Sequence, residues 1–124
     1  MLSTILIITG SILTILWGLT HIFPTGSVIR GFGDISRDNQ RIIRMEWLNE
    51  SLTLFFIGIL NTVTTLVNTS MHLQNSIHLL SAVMLFAMAI LSLFTGARIN
   101  FLPFRLCPVI FSVSAVLLIL GVFL

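Results

Sequence analysis

Residues 41–68 read RIIRMEWLNESLTLFFIGILNTVTTLVN, and this stretch decides the fold. It opens with arginines and glutamates around Trp47, and after Glu50 it carries no further charged side chain. A helix of about 20 mostly apolar residues crosses the roughly 30 Å hydrocarbon core of a bilayer, because each residue adds about 1.5 Å. The stretch therefore predicts a transmembrane helix that enters the membrane near residue 47.

Three other apolar runs have a similar length, so we expect spans at about 2–22, 47–68, 76–96 and 104–123. The chain is 56% hydrophobic and 8% charged, whereas soluble domains carry roughly 25% charged residues. A soluble fold of 124 residues would not bury this much apolar surface. The sequence predicts one all-α integral membrane domain over residues 1–124, an up-down-up-down bundle of four transmembrane helices. Pro103 and Pro108 leave the start of the last helix open.

All positive side chains are arginines, and they occupy two segments between the runs: Arg30, Arg37, Arg41 and Arg44 in the first, and Arg98 and Arg105 in the second. Because Lys and Arg concentrate in cytoplasmic loops, we expect both segments in the cytoplasm and both termini outside, in a bacterial inner membrane. Four carboxylates are interspersed among the arginines, so no dense basic stripe indicates nucleic acid. Membrane lipid is the expected partner.

The segment between the first two spans is predicted to contain the beginning of a long helix. Pro24 and Gly26 end the first helix, and Gly31 and Gly33 supply a flexible joint. Asp34 or Ser36 can then cap a helix that continues directly into the second span.

Polar side chains follow one face of the second span. At about 100° per residue, this face gathers Glu46, Glu50, Ile57, Asn61, Thr64 and Asn68. Polar groups avoid lipid, so the face is expected to turn inward. The first span has a similar face with Ser3, Gly10, Thr14, Trp17 and His21. His21 ends its helix on the side where Glu46 and Glu50 begin the next, so we expect the two faces to meet.

These faces predict a cytoplasm-facing pocket for a small or lipidic ligand, a proton or a cation. Glu46 and Glu50 would supply charge and His21 a titratable partner. Hydrogen bonds or anion contacts would come from Asn49, Asn61, Arg44 and Arg98. Two alternatives remain open: Glu46 as an interfacial anchor beside Trp47, and Asn61 as an interhelical hydrogen bond.

No metal or cofactor is predicted. Cys107 is the only cysteine, so neither an internal disulfide nor a CxxC pair can form. His72 and His78 fall at the opposite end from His21, which leaves no histidine pair for a haem. The second hypothesis is an accessory or structural subunit without a ligand of its own. A homo-oligomer or a larger membrane complex is compatible with either, and catalysis is not favoured.

The start of the second span also carries a resemblance. Arg41, Arg44, Asn49 and Glu50 stand where members of the membrane-associated glutathione transferase and eicosanoid family carry an Arg-x-x-x-Asn-x-x-Glu signature. The four-span architecture, the outward termini and the arginine-bearing first loop are also similar to that family. The resemblance implies a trimeric enzyme that binds glutathione at this position. The spacing here differs from the signature, and the chain has no tyrosine, which many members use near the thiol.

Overall fold

The computed structural model describes all 124 residues, and every regular element in it is helical. The helices are α1 (Leu2–Ile22), α2 (Thr25–Arg30), α3 (Arg37–Leu66), α4 (Met71–Phe94) and α5 (Leu102–Phe123), with a 3₁₀ turn at Gly96–Arg98. The predicted all-α class is confirmed.

Three segments are long and apolar enough to cross a membrane: Leu2–Ile22, Met71–Arg98 and Leu102–Phe123. The remaining long helix, α3, has 30 residues, which is about 45 Å at 1.5 Å per residue. Its first half carries all its charged side chains, and Asn61 interrupts its apolar second half. Length and hydropathy therefore support three spans, one fewer than predicted.

The helix ends follow local hydrogen bonding. The Ser36 hydroxyl accepts from the Asn39 backbone N–H at 3.1 Å and begins α3, which settles the choice between Asp34 and Ser36. The Ser70 hydroxyl accepts from the Leu73 N–H at 3.4 Å, so α4 begins at Met71, earlier than the predicted residue 76. Pro103 lies in the first turn of α5 and Pro108 lies inside it. Helix α2 was not predicted.

Helix α1 packs between α3 and α5. A Cβ atom on Gly58 would overlap the Ile15 side chain and the Ser11 carbonyl oxygen. Gly18 lies against Leu54, so α1 and α3 run antiparallel. Such close backbone approach is typical of helix contacts made by small residues in lipid. Gly121 of α5 meets the other side of α1 in the same way, against Ile7 and Ser3.

Helices α3 and α4 meet at one end and separate at the other. They meet where Asn61 contacts Ser81 and His78. Further along they leave a space of about 330 Å³, lined by residues that include Glu50, Met84, Leu91 and Cys107. We refer to this space as the α3–α4 gap.

The two arginine-bearing segments lie at the same end of the molecule, because residues of both line one cavity. We call this end the arginine end. The opposite end contains the Asn61 contacts, and between the two ends the core is filled by Leu54, Leu85, Phe111 and Leu118, each no more than 1% exposed.

Candidate functional site

Three helices bring three chemically active side chains together at the arginine end. His21 ends α1, Glu50 lies on α3 and Cys107 lies on α5. His21 Nε2 is 3.6 Å from Glu50 Oε1 and 3.7 Å from Cys107 Sγ. His21 and Cys107 are each about 4% exposed, whereas the Glu50 side chain is 29% exposed. The predicted meeting of the α1 and α3 polar faces is therefore confirmed at this point.

The ring of His21 is held in one orientation. Its Nδ1 lies 2.9 Å from the backbone carbonyl oxygen of Trp17. Since a carbonyl can only accept, Nδ1 carries the proton and Nε2 faces Glu50 and Cys107. The rings of Trp17 and Trp47 flank the imidazole at centroid distances of 5.7 and 4.9 Å. The Trp47 indole N–H also donates to the His21 carbonyl oxygen.

A cavity of about 650 Å³ adjoins this cluster, and we call it the main cavity. Helix α2, the first half of α3 and the segment before α5 enclose it. Its wall combines four aromatic rings and two carboxylates, those of Phe32, Trp47, Phe101, Phe104, Glu46 and Glu50. No arginine contributes to the wall.

Two smaller spaces adjoin the main cavity. One, of about 210 Å³, lies between the end of α1 and the start of α5 and is lined partly by His21. The other is the α3–α4 gap. Phe104 lines all three spaces, and Glu50 lines both the main cavity and the gap. Glu50 is thus the member of the His21–Glu50–Cys107 cluster that borders both the main cavity and the gap.

The structure distributes the other predicted site residues differently. Glu46 is exposed on the wall of the main cavity. Arg44, Asn49 and Arg98 are exposed and line none of the three spaces. Arg98 instead lies over the Phe94 ring, 5.7 Å from its centroid. The candidate site therefore centres on His21, Glu50 and Glu46.

Asn61 is fully buried at the opposite end, about 16 Å along α3 from Glu50 at 1.5 Å per residue. Its Oδ1 accepts from His78 Nδ1 at 2.6 Å, and its Nδ2 donates to Ser81 Oγ at 2.8 Å and to the Ile57 carbonyl at 2.7 Å. This is the interhelical hydrogen bond that the sequence left as the alternative to a ligand contact.

Two residues of these clusters were not identified from the sequence. Cys107 was set aside because it forms no cysteine pair, although its three-residue cluster contains ligand types that metals use. His78 was grouped with exposed His72, whereas it is 1% exposed and bonded to Asn61. A helical-face comparison of α4 with α3 would have been the available signal, because His78 and Ser81 are three residues apart.

No protein-family model matches the chain, and neither a curated protein nor a solved structure matches it. The resemblance to the membrane-associated glutathione transferase family thus rests only on the sequence features already described, centred on Arg41–Glu50.

Proposed function

We propose that this small membrane protein binds an amphiphilic molecule in the main cavity, with the polar head of the ligand toward Glu46 and Glu50. The observation that carries the proposal is the composition of the cavity wall. Aromatic and aliphatic side chains surround a space that contains two carboxylates and no cationic side chain.

The size of the cavity supports a small organic ligand. Ligand pockets typically enclose about 300–1,000 Å³ and are mostly apolar with a few polar groups that orient the ligand. The main cavity, at about 650 Å³, falls inside this range. A bare ion or a proton alone would not require so large an apolar space.

The charge of the wall favours a cationic or strongly hydrogen-bond-donating head group. The carboxylates of Glu46 and Glu50 accept hydrogen bonds and attract positive charge, and both line the cavity. The rings of Trp47 and Phe104 offer faces that attract cations within about 6 Å. An aliphatic amine or ammonium compound matches both features.

We propose that α3 is the fourth span and that the chain is an up-down-up-down bundle with outward termini, in a bacterial inner membrane. One face of α3 is buried, which supports a helix packed within a bundle. This face includes Ser51, Leu54, Gly58 and Asn61. The arginine segments at one end support a cytoplasmic location for that end. Lipid is the partner of the exposed apolar faces.

The binding proposal can be tested by thermal unfolding in lipid nanodiscs with three probes of equal tail length: dodecylamine, dodecanol and dodecanoate. We expect dodecylamine to raise the midpoint most, because only its head carries a positive charge. Ile43→Trp should fill the main cavity and remove the shift, and Ile59→Trp, on the exposed face of the same helix, should retain it. No shift with any probe, or an unchanged shift in Ile43→Trp, would overturn the proposal; a preference for dodecanoate would overturn the cationic head group.

The orientation can be tested by labelling with a membrane-impermeant thiol reagent in a Cys107→Ser background. We expect outside reagent to modify His72→Cys and to spare Arg37→Cys, because these positions lie at opposite ends. The reverse pattern would contradict the assignment of sides.

An accessory subunit is the second candidate, and the Asn61 contacts favour it. Buried polar side chains of α3 and α4 bond to each other there, which supports a purely structural role for such groups. Under this hypothesis Glu46→Gln and Ile43→Trp change expression or assembly, and no probe shifts the unfolding midpoint. Stabilisation by millimolar glutathione would instead support the transferase-like enzyme.

A further inference from the structure

We propose that His21, Glu50 and Cys107 form a binding site for one Zn²⁺ or similar thiophilic divalent ion at the arginine end. This site goes beyond the amphiphile-binding function, because two of its three ligands, His21 and Cys107, do not line the main cavity. The three ligand atoms come from α1, α3 and α5 and lie within 4.8 Å of one another.

The two separations from His21 match the edges of a tetrahedral site, and the third, between Glu50 and Cys107, is at most 4.8 Å. With Zn–N, Zn–O and Zn–S bonds of about 2.0–2.3 Å, adjacent ligands lie roughly 3.4 Å apart for N and O and roughly 3.6 Å apart for N and S. The observed distances from His21 Nε2 are 3.6 Å to Glu50 Oε1 and 3.7 Å to Cys107 Sγ. An ion placed among the three atoms would draw the Glu50 carboxylate and the Cys107 sulfur toward His21 Nε2.

The orientation of the His21 ring supports the metal site independently of these distances. Metal-binding histidines commonly donate their second ring N–H to a carbonyl or carboxylate, which fixes the tautomer. Here Nδ1 donates to the Trp17 carbonyl at 2.9 Å. In the neutral ring this leaves the Nε2 lone pair facing Glu50 and Cys107, the arrangement that a metal ligand requires. The flanking indoles of Trp17 and Trp47 restrict rotation of the ring.

The charges also balance. A carboxylate from Glu50 and a thiolate from Cys107 together neutralise a divalent cation, with His21 as a neutral ligand. Binding requires the thiol to release its proton to solvent water, and coordination to a metal deprotonates thiols. A neutral complex avoids the cost of burying net charge in an apolar region.

The ligand types select the kind of metal. Mg²⁺ and Ca²⁺ prefer oxygen ligands alone, whereas nitrogen and sulfur ligands favour Zn²⁺ and related ions. Three protein ligands leave a fourth tetrahedral position, as in zinc sites that keep a water or a substrate. Glu50 borders the main cavity and the α3–α4 gap, so a water or another small ligand in these spaces could supply the fourth ligand.

The test uses purified full-length protein stripped with a chelator and reloaded with Zn²⁺ or Co²⁺. We expect one equivalent of Zn²⁺ per chain and, with Co²⁺, a thiolate-to-metal charge-transfer band. Since Cys107 is the only cysteine, such a band reports this residue alone. Cys107→Ser should abolish the band and weaken Zn²⁺ binding at least about 100-fold, since loss of outer-shell partners alone costs 10–100-fold. The control His72→Ala, at an exposed histidine of the opposite end, should bind Zn²⁺ like the wild type.

The outcomes separate this site from the amphiphile site. Ile43→Trp should still bind Zn²⁺, and Cys107→Ser should still be stabilised by dodecylamine. If Cys107→Ser does not fold, the Co²⁺ band of the wild type decides the question. Absence of that band, or Zn²⁺ binding by the wild type no tighter than by Cys107→Ser, would overturn the metal site and leave only a His21–Glu50 contact beside an unrelated thiol.

Discussion

The two ends of the molecule use buried polar side chains in opposite ways. At the end away from the arginines, Asn61 of α3 forms hydrogen bonds with His78 and Ser81 of α4 and holds the two helices together. At the arginine end, His21, Glu50 and Cys107 approach one another while α3 and α4 separate and three spaces surround the cluster. Polar groups that satisfy each other fix helix positions, whereas polar groups beside open space remain able to bind something else.

The two regions should differ most in the free energy of unfolding lost when a phenylalanine of α5 is replaced by alanine. Phe111→Ala removes a ring that is 1% exposed in the filled core, which typically costs about 3–5 kcal/mol. Phe104→Ala removes a half-buried ring that already borders three spaces, so we expect a cost of less than about 2 kcal/mol. Reversible unfolding by sodium dodecyl sulfate measures both. Equal losses would show that the arginine end is as tightly packed as the core.

The contact between α1 and α3 supports both ends, so disturbing it should affect both. Gly58→Val introduces a side chain where even a Cβ atom would overlap Ile15, and overpacking of this kind costs about 1–3 kcal/mol. Zn²⁺ and dodecylamine binding should weaken together with stability. Gly96→Val is the matched control, because the nearest atom to a Cβ at this position would be 3.8 Å away. A stable Gly58→Val protein would contradict the close approach of the two helices.

The Asn61 contacts should matter for stability and not for binding. Asn61→Leu leaves the buried His78 ring without its acceptor, which we expect to cost about 1–2 kcal/mol. The double variant with His78→Leu should recover part of this loss, because both unpaired groups are then gone. A double-mutant cycle measures the coupling. Loss of Zn²⁺ or dodecylamine binding in a folded Asn61→Leu protein would break the distinction between the two ends.

The smallest expected effects on stability come from the two serine residues that cap helices. Ser36→Ala removes the 3.1 Å bond that begins α3 at the arginine end, with an expected cost of about 1 kcal/mol. Ser70→Ala removes a longer bond of 3.4 Å at the start of α4 and should cost less. Hydrogen exchange of the first-turn amides measures each effect locally. A larger effect at Ser70 would reverse the expected order.

Much of the helical framework follows from local sequence. The bounds of α1 agree with the prediction, and Ser36 was one of two predicted caps, because both depend on residues close together in the chain. The polar face of α3 correctly predicted the inward side of Asn61 and Thr64, which are both buried. It was wrong for Glu46 and Asn68, which are exposed, and Asn68 lies beyond the end of α3. The first turns of α4 were missed because His72, Gln74 and Asn75 interrupt the apolar run without interrupting the helix.

The candidate site was only half predictable. His21 ends the first predicted span and Glu50 lies near the start of the second, so their meeting follows from a simple reversal of the chain. Cys107 joins them from a helix 86 residues beyond His21, and a site assembled from three helices leaves no characteristic spacing. The cavities also depend on how far α3 and α4 diverge, which is a property of packing rather than of either helix alone.

The α3–α4 gap offers a route by which a ligand with an apolar tail could reach Glu50 from the bilayer. Met84 and Leu91 of α4 line it and are 46% and 66% exposed, so the gap opens at the surface. If α4 is surrounded by acyl chains, a tailed molecule approaches Glu50 sideways, from the hydrocarbon layer instead of from water. Each methylene then adds about 0.8 kcal/mol to partitioning into that layer. Lengthening the tail by two carbons would therefore raise the concentration of the ligand in the bilayer more than tenfold, with no change in its affinity for the site. Affinities of ligands with different tail lengths should be compared at equal ligand-to-lipid ratios.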